Sequence, residues 1–182
     1  LGVGDAGRAK AVYVDRLIMM DGMTGEEIAH IPVDAPFRER FGNPYAVIHR
    51  SDLHGVLLDA CRAHSDITLI NRQRVVRYER NGSSVAVRTE TADVFQGAAI
   101  IGCDGVRSKI REQLTGGDSI KLSGHVAYRA VLPIEQMPED LRWNAATLWA
   151  GPKCHMVHYP LQGWKTFNLV ATFQTDVENV GI

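Results

Sequence analysis

The stretch "AAIIGCDGVRSKIREQL", residues 98–114, joins an apolar run to a glycine-rich turn and then to a short amphipathic segment. The apolar run predicts a buried strand, and Asp104 stands at its carboxyl end between Gly102 and Gly105. Ligands of open α/β sheets bind at the carboxyl ends of strands, where a carboxylate can accept hydrogen bonds from ligand hydroxyls. The alternative is that Asp104 caps the following helix. These residues alone support both interpretations equally.

The composition is that of a globular chain without a strong charge. Of 182 residues 45% are hydrophobic, and 20 basic residues oppose 21 acidic ones, for a formal net charge of -1. No basic stripe could follow a phosphate backbone, so nucleic acid is not predicted as a partner. The apolar runs fall far short of the roughly 20 residues that span a bilayer, and the amino end lacks a signal-peptide pattern. We therefore expect a cytoplasmic protein without a membrane partner.

The three cysteines, Cys61, Cys103 and Cys154, are far apart in the sequence and form no Cys-x-x-Cys pair. This spacing suggests neither a metal site nor a disulfide framework, and reduced thiols in a cytoplasm are the simplest interpretation. The chain begins without Met and ends without a recognisable closing element, so we also expect a fragment of a longer protein.

Hydrophobic periodicity predicts an α/β or α+β chain in which a helix is followed by β-rich material. The region after Gly117 has strands separated by loops, which is typical of a mostly antiparallel sheet. The predicted elements before it are a weak helix at 5–14, a hairpin of strands at 17–20 and 28–33, a loop at 34–44, a strand end at 45–48, a helix from about Asp52 with Ser51 as N-cap, and strands near 67–78, 84–90 and 98–102.

Arg50 is a second candidate ligand-binding residue. It stands at the amino end of the predicted helix, where the helix dipole disfavours a cation by about 0.3–1 kcal/mol. A negative group should therefore compensate. Neighbouring Asp52 or another surface carboxylate is one candidate, and a phosphate or the electron-rich edge of a cofactor ring is the other.

The segments "VIHRSDLHGVLLDA" (47–60) and "IIGCDGVRSKIRE" (100–112) together resemble, in order and spacing, two signatures of the FAD-dependent aromatic hydroxylases. These are single-component flavoprotein monooxygenases. The resemblance implies that Arg50 lies beside the flavin, and that Asp104 and Gly105 serve both FAD and the reducing NADH or NADPH. It also implies that Ser108 and Arg111 hold the turn and helix of the second motif in place.

The same resemblance implies part of a para-hydroxybenzoate-hydroxylase-like FAD/NAD(P)-binding fold, interleaved with a mostly antiparallel substrate-domain sheet. Residues 1–16 and 45–118 are predicted to be the middle of the FAD-binding domain. Residues 17–44 and 119–182 are predicted to be an incomplete substrate-binding domain.

The segment "GPKCHMVHYPLQG" (151–163) carries the predicted substrate residues. On a strand, His155 and Tyr159 share a face, with Cα atoms about 13 Å apart at roughly 3.3 Å per residue. That span can hold a benzenoid ring with a hydrogen-bonding group at each end. An imidazole can take the proton of a phenol, which reacts faster with electrophilic oxygen as its phenolate. The alternative is an ordinary half-buried His and Tyr in a sheet, whereas the resemblance implies that both residues line the aromatic pocket.

The resemblance implies hydroxylation of a small aromatic acid by O2 and NAD(P)H, with 3-hydroxybenzoate converted to gentisate. The alternatives are conversion of salicylate to catechol, a non-catalytic remnant that binds an aromatic acid, and a flavoprotein reductase that does not oxygenate. A homodimer is a further option.

Overall fold

The computed structural model describes residues 2–117 and 121–175. Within these ranges it confirms the predicted mixture of helices and strands. The elements in chain order are α1 (Gly4–Arg8), β1 (Val12–Tyr13), β2 (Arg16–Asp21), β3 (Glu27–Pro32), α2 (Ala35–Phe41), β4 (Ala46–Val47), α3 (Arg50–Ala63), β5 (Val75–Asn81), β6 (Ser84–Thr89), β7 (Val94–Gly97), α4 (Lys109–Thr115), β8 (His125–Pro133), β9 (Ala145–Gly151), β10 (Cys154–Leu161) and β11 (Thr166–Gln174).

The chain divides into two compact units. The large unit combines Leu1–Ile67 with Gly124–Ile182, and the small unit is Thr68–Ser123. The predicted assignment of residues to an FAD domain and a substrate domain stays a prediction, because compactness does not reveal which residues hold a ligand. Residues 118–120 and 176–182, which belong to the predicted domains, lie outside the described residues.

A six-stranded sheet in the order β3-β2-β9-β10-β11-β8 forms the centre of the large unit. All of its pairs are antiparallel except the parallel pair β2–β9, which confirms the predicted mostly antiparallel sheet.

The predicted hairpin is also present as β2 and β3. The Asp21 carboxylate closes its turn by accepting hydrogen bonds from the N–H groups of Met23 (2.7 Å) and Thr24 (3.0 Å). These two bonds lower the pKa of Asp21, with the Thr24 bond as the larger cause.

One face of this sheet carries the core, and we call it the aromatic face. Ile18, Met20 and Ala145 are buried there, with Trp143 and Trp149 packed against them. Register places Ile18 and His158 on either side of Thr147, so alternate residues of β2, β9 and β10 meet on this face. The opposite face carries His155 and Tyr159, and we call it the His155 face.

The small unit contains a three-stranded meander in the order β5-β6-β7 and the helix α4. Gly82 forms the turn between β5 and β6 at φ +60°, and the Ser84 hydroxyl donates to the Asn81 carbonyl at 3.0 Å. Gln113 of α4 docks on the edge of β5. Its amide donates to the Tyr78 carbonyl at 2.7 Å and accepts from the Tyr78 N–H at 2.9 Å, as a neighbouring strand would.

The predicted loop at 34–44 is wrong, because the segment contains α2. Pro36 lies in the first helical turn. Backbone N–H groups there have no acceptor within the helix, so a proline costs no hydrogen bond. Gly42 ends the helix in the left-handed conformation (φ +69°), and its N–H donates to the Arg38 carbonyl at 2.8 Å. The rings of Phe37 and Phe41, one turn apart, pack with centroids at 4.5 Å and planes tilted by 43°.

The predicted strand at 98–102 is also wrong, since β7 ends at Gly97. Ile101 is 86% exposed, and no strand pairs with this segment within residues 2–117 and 121–175. An apolar run forms a strand only where a neighbour accepts its backbone hydrogen bonds.

Three smaller predictions are corrected in the same way. The first helix ends at Arg8 and is followed by β1, the strand expected near 67–78 is the later β5, and the N-cap of α3 is His49. Ser51 lies inside the helix, where its hydroxyl is 2.6 Å from Nδ1 of His49.

No helix in the described ranges is both long and apolar enough to cross a membrane.

Candidate functional site

The turn before α4 is built around the carboxylate of Asp104. Its Oδ1 accepts a hydrogen bond from the Ser108 hydroxyl (2.5 Å), and its Oδ2 accepts from the N–H groups of Lys109 (2.8 Å) and Ile110 (3.3 Å). Ser108 is the N-cap, and its Oγ accepts from the Arg111 N–H at 3.0 Å. The capping contacts considered from the sequence are therefore present, and a cofactor role for Asp104 stays a prediction.

These hydrogen bonds keep the Asp104 carboxylate ionised. The pKa of Asp104 lies below its ordinary value, mainly because the Ser108 hydroxyl donates to the charged form and the helix N–H groups add to this. A fixed negative charge at the amino end of α4 also suits the helix dipole.

Arg111 ties the helix back to the glycine turn. Its guanidinium donates to the carbonyl of Gly105 at 3.3 Å and to that of Val106 at 2.6 Å. Gly105 has φ +79°, a conformation that glycine adopts without strain. Asp104, Gly105, Ser108 and Arg111 thus form one continuous motif within the small unit.

A cavity of about 520 Å³ adjoins this motif inside the small unit. Gly105, Ser108 and Arg111 line it on one side, and Arg80 of β5 contributes a second guanidinium. Two cations beside a glycine turn favour an anionic or electron-rich ligand.

Gly102 sets how closely α4 approaches the turn. A Cβ at this position would lie 3.0 Å from both Cβ and Cγ2 of Ile110. We expect Gly102→Ala to push the helix away and to lower the unfolding free energy by about 1–3 kcal/mol, measured by urea denaturation of the full-length protein.

Gly55→Ala is the matched control for this prediction. Gly55 lies within α3, and a Cβ there meets nothing within 4 Å. This variant should be unchanged or more stable, because alanine favours a helix. Equal urea midpoints for the two variants would contradict the close approach.

Arg50 is the first residue of α3 in the large unit, and its side chain is exposed. Asp52, the neighbouring carboxylate, accepts a hydrogen bond from Nε2 of Gln162 at 3.1 Å. In the part of the chain that the structure describes, Arg50 makes no ion pair or side-chain hydrogen bond. Asp52 was one of the two negative groups considered from the sequence as a partner for Arg50. Its carboxylate bonds to Gln162 and makes no ion pair with Arg50 among the described residues.

The Asp52–Gln162 bond also connects two elements of the large unit. Gln162 directly follows β10, the strand of His155 and Tyr159, whereas Asp52 lies in the first turn of α3. The helix start with Arg50 is therefore held to the end of the strand with Tyr159.

His155 and Tyr159 lie on the same face of β10. His155 pairs with Ala150 of β9 and Thr172 of β11, and Tyr159 pairs with Asn168. His155 is exposed and Tyr159 is half-buried. Their role in a substrate site stays a prediction.

Asn168 is a candidate that the sequence analysis missed. Its Nδ2 is buried without a hydrogen-bond partner among the described residues, and register places it beside Tyr159 on the His155 face. The available signal was a single amide in the apolar strand "TFNLVATF". Only the cross-strand register assigns that amide to the same face as Tyr159.

His158 lies on the aromatic face and is 1% exposed. Its ring packs against Trp143, Trp149 and Phe167 with centroids 6.2, 6.3 and 6.0 Å away. Neither ring nitrogen has a hydrogen-bond partner among the described residues. Burial lowers the pKa of His158 to about 4, so the imidazole is neutral at physiological pH.

Comparison with known proteins finds relatives at 45–48% identity that are named 3-hydroxybenzoate 6-hydroxylase. The chain is 48% identical over 172 residues to 3-hydroxybenzoate 6-hydroxylase 1 of Aquipseudomonas alcaligenes, covering 94% of this chain and 44% of that protein. It is 45% identical over 175 residues to 3-hydroxybenzoate 6-hydroxylase of Polaromonas naphthalenivorans, covering 96% of this chain and 44% of the relative. The chain thus spans less than half the length of these relatives. No family model matches it.

Solved structures show the same fold at low sequence identity. HpxO of Klebsiella pneumoniae, solved with FAD and uric acid, superposes with a TM-score of 0.82 at 21% identity, over 99% of this chain and 45% of that one. A substrate complex of salicylate hydroxylase gives a TM-score of 0.76 at 18% identity, over 100% of this chain and 46% of that one. The fold and the close relatives agree with the two sequence signatures, and the chain belongs to the FAD-dependent aromatic hydroxylase family.

Proposed function

We propose that the full-length protein is an FAD-dependent monooxygenase that converts 3-hydroxybenzoate to gentisate with O2 and NADH or NADPH. The observation that carries this proposal is the 45–48% identity, over nearly the whole chain, to proteins named 3-hydroxybenzoate 6-hydroxylase. The new hydroxyl then enters the ring para to the existing one.

The residues of the chain fit a flavin dinucleotide. Arg50 presents an exposed guanidinium without a described partner, which suits the electron-rich edge of a flavin. The cavity beside Gly105, with Arg80 and Arg111 in its lining, suits the phosphate groups of FAD or of the reducing nucleotide. When bound, FAD supplies the oxygen-activating redox chemistry that no amino-acid side chain provides.

The His155 face supplies groups suited to a hydroxybenzoate. His155 accepts the proton of the ring hydroxyl, which makes the ring more electron-rich. The Tyr159 hydroxyl holds the carboxylate by a hydrogen bond, with Asn168 beside it on β11. Val157 and Val170, half-buried between these polar ends, contact the ring.

The remaining predictions about the protein's setting are consistent with this function. We place the enzyme in the cytoplasm, in the catabolism of aromatic compounds, acting without nucleic acid or membrane partners. The three free cysteines suit a reducing compartment. A homodimer stays a prediction that the mass of the full-length protein in solution would test.

The test of this function is aromatic-stimulated NAD(P)H oxidation by the full-length protein with identification of the product. We expect gentisate from 3-hydroxybenzoate and little turnover of salicylate. Catechol from salicylate would replace the proposed substrate. Stimulated oxidation without any hydroxylated product would favour a reductase, and a colourless protein without oxidation would favour a binding remnant.

A further inference from the structure

Arg129 of β8 lies on the same face of the six-stranded sheet as His155 and Tyr159. Cross-strand register pairs Val157 of β10 with Val170 of β11, and pairs Val170 with Arg129. Side chains of directly paired residues stand on the same side of a sheet. A row on the His155 face therefore leads from the two valines proposed to contact the substrate ring to a guanidinium.

The spacing of strands and residues places Arg129 at a third corner of this face. Neighbouring strands lie about 4.8 Å apart, so the Cα atoms of Arg129 and Val157 are roughly 10 Å apart. His155 and Tyr159 stand two residues to either side of Val157, which puts each of their Cα atoms about 12 Å from that of Arg129. The long stem of an arginine can lie along apolar surface such as Val170 and bring its charged end toward the ring.

The guanidinium of Arg129 is available to a ligand. Its side chain is exposed and makes no ion pair or side-chain hydrogen bond within residues 2–117 and 121–175. Asp21 of β2, a carboxylate on the same face, is separated from β8 by three strands. Asp21 therefore does not neutralise Arg129.

Arg129 is also the one lysine or arginine that register assigns to the His155 face in the described strands of this sheet. Arg16 of β2 stands two residues before buried Ile18 and so belongs to the aromatic face. Arg129 thus supplies the positive charge of the face that carries the proposed substrate residues.

We propose that Arg129 binds the carboxylate of the aromatic substrate and makes the site selective for aromatic acids over neutral phenols. This inference rests on the proposed function, in which the substrate is a hydroxybenzoate. Like carboxyl side chains, whose pKa is about 4, a benzoic acid is ionised at neutral pH. A carboxylate that leaves water needs an opposite charge, which the neutral Tyr159 hydroxyl lacks. A guanidinium supplies that charge together with two parallel N–H donors for the carboxylate oxygens.

Calorimetric titration of the full-length protein with a charged and a neutral ligand tests this role. 3-Hydroxybenzamide has the ring and hydroxyl of 3-hydroxybenzoate but carries an uncharged amide in place of the carboxylate. Arg129→Met keeps an unbranched apolar stem and removes the charge. We expect this variant to bind 3-hydroxybenzoate roughly 10- to 100-fold more weakly, and 3-hydroxybenzamide within about twofold of the unmodified protein.

Two further variants separate charge from structure. Arg129→Lys keeps the charge without the planar fork, so its dissociation constant for 3-hydroxybenzoate should lie between those of the unmodified protein and Arg129→Met. Arg16→Met removes an exposed arginine from the other face of the same sheet and should leave both affinities unchanged. Retained binding of 3-hydroxybenzamide shows that Arg129→Met is folded, and its urea midpoint shows the same if the amide binds too weakly to measure.

Equal affinity of the unmodified protein and Arg129→Met for 3-hydroxybenzoate would overturn the inference, as would equal weakening of the acid and its amide. Hydroxylation of salicylate instead of 3-hydroxybenzoate would overturn the proposed substrate alone, because salicylate also carries a carboxylate. Titration with salicylate and salicylamide then decides the role of Arg129 in the same way. An unmodified protein that binds neither acid would overturn both proposals.

Discussion

Replacing His155 by alanine in the full-length protein is expected to slow hydroxylation of 3-hydroxybenzoate by about 10²- to 10⁴-fold, the usual range for a lost general base. Reduction of the flavin by NAD(P)H should keep its rate, because that step requires no proton from the ring hydroxyl. His155 is exposed on the same face as Tyr159 and Asn168, so its imidazole is available to a bound ring. Rapid-mixing measurements of the two half-reactions separate the effects.

The pH dependence of the defect distinguishes proton removal from a structural role. At a pH of about 10, where a phenol ionises by itself, the substrate needs no base and the His155→Ala rate should approach that of the unmodified protein. His54→Ala, which removes an exposed histidine from α3, is the matched control and should leave both half-reactions unchanged. Equal losses in reduction and hydroxylation, or a defect that persists at high pH, would remove His155 from the mechanism.

Elements with a local signal could be predicted from the sequence. The β2–β3 hairpin has two apolar runs around a tight turn, and β10 follows from the run of apolar and aromatic residues in "CHMVHYPL". Because side chains alternate along a strand, His155 and His158 lie on opposite faces, and this needs no tertiary information. The two family signatures, at 47–60 and 100–112, also allowed the fold to be predicted, because each is a run of contiguous residues that can be recognised without tertiary information.

Features that depend on distant partners could not be predicted. Residues 98–102 have a strand composition, yet the described chain offers them no neighbouring strand. The position of Asn168 beside Tyr159 is a matter of register between β10 and β11. The burial of His158 requires Trp143, Trp149 and Phe167, which come from three separate places in the chain.

A misread local signal explains the error at α2. Two prolines and a Gly-Asn-Pro sequence are typical of a loop, and Pro36 fits that pattern. A proline in the first turn of a helix loses no hydrogen bond, so it marks a helix start as readily as a loop.

The buried histidine leads to the second large expected effect, a loss of stability in mild acid. The pKa of His158 is about 4 in the folded protein and 6.5 in its ordinary state, because aromatic rings and the Thr147 hydroxyl surround it in place of water. Between these values the unfolded chain binds a proton that the folded protein excludes, so stability falls as the pH drops below 6.5. The contribution lost between pH 7 and pH 5 is about 2 kcal/mol.

Urea denaturation of the full-length protein at pH 7 and pH 5 measures this loss. His158→Phe removes the titrating group and keeps an aromatic ring in the cluster, so its stability should fall about 2 kcal/mol less over the same interval. His54→Phe, at an exposed position of α3, should retain the acid sensitivity of the unmodified protein. If His158→Phe does not fold, His158→Gln serves the same comparison. The same acid-induced loss in the His158 variant and in the unmodified protein would show that other groups cause it, and that the aromatic face tolerates the imidazolium.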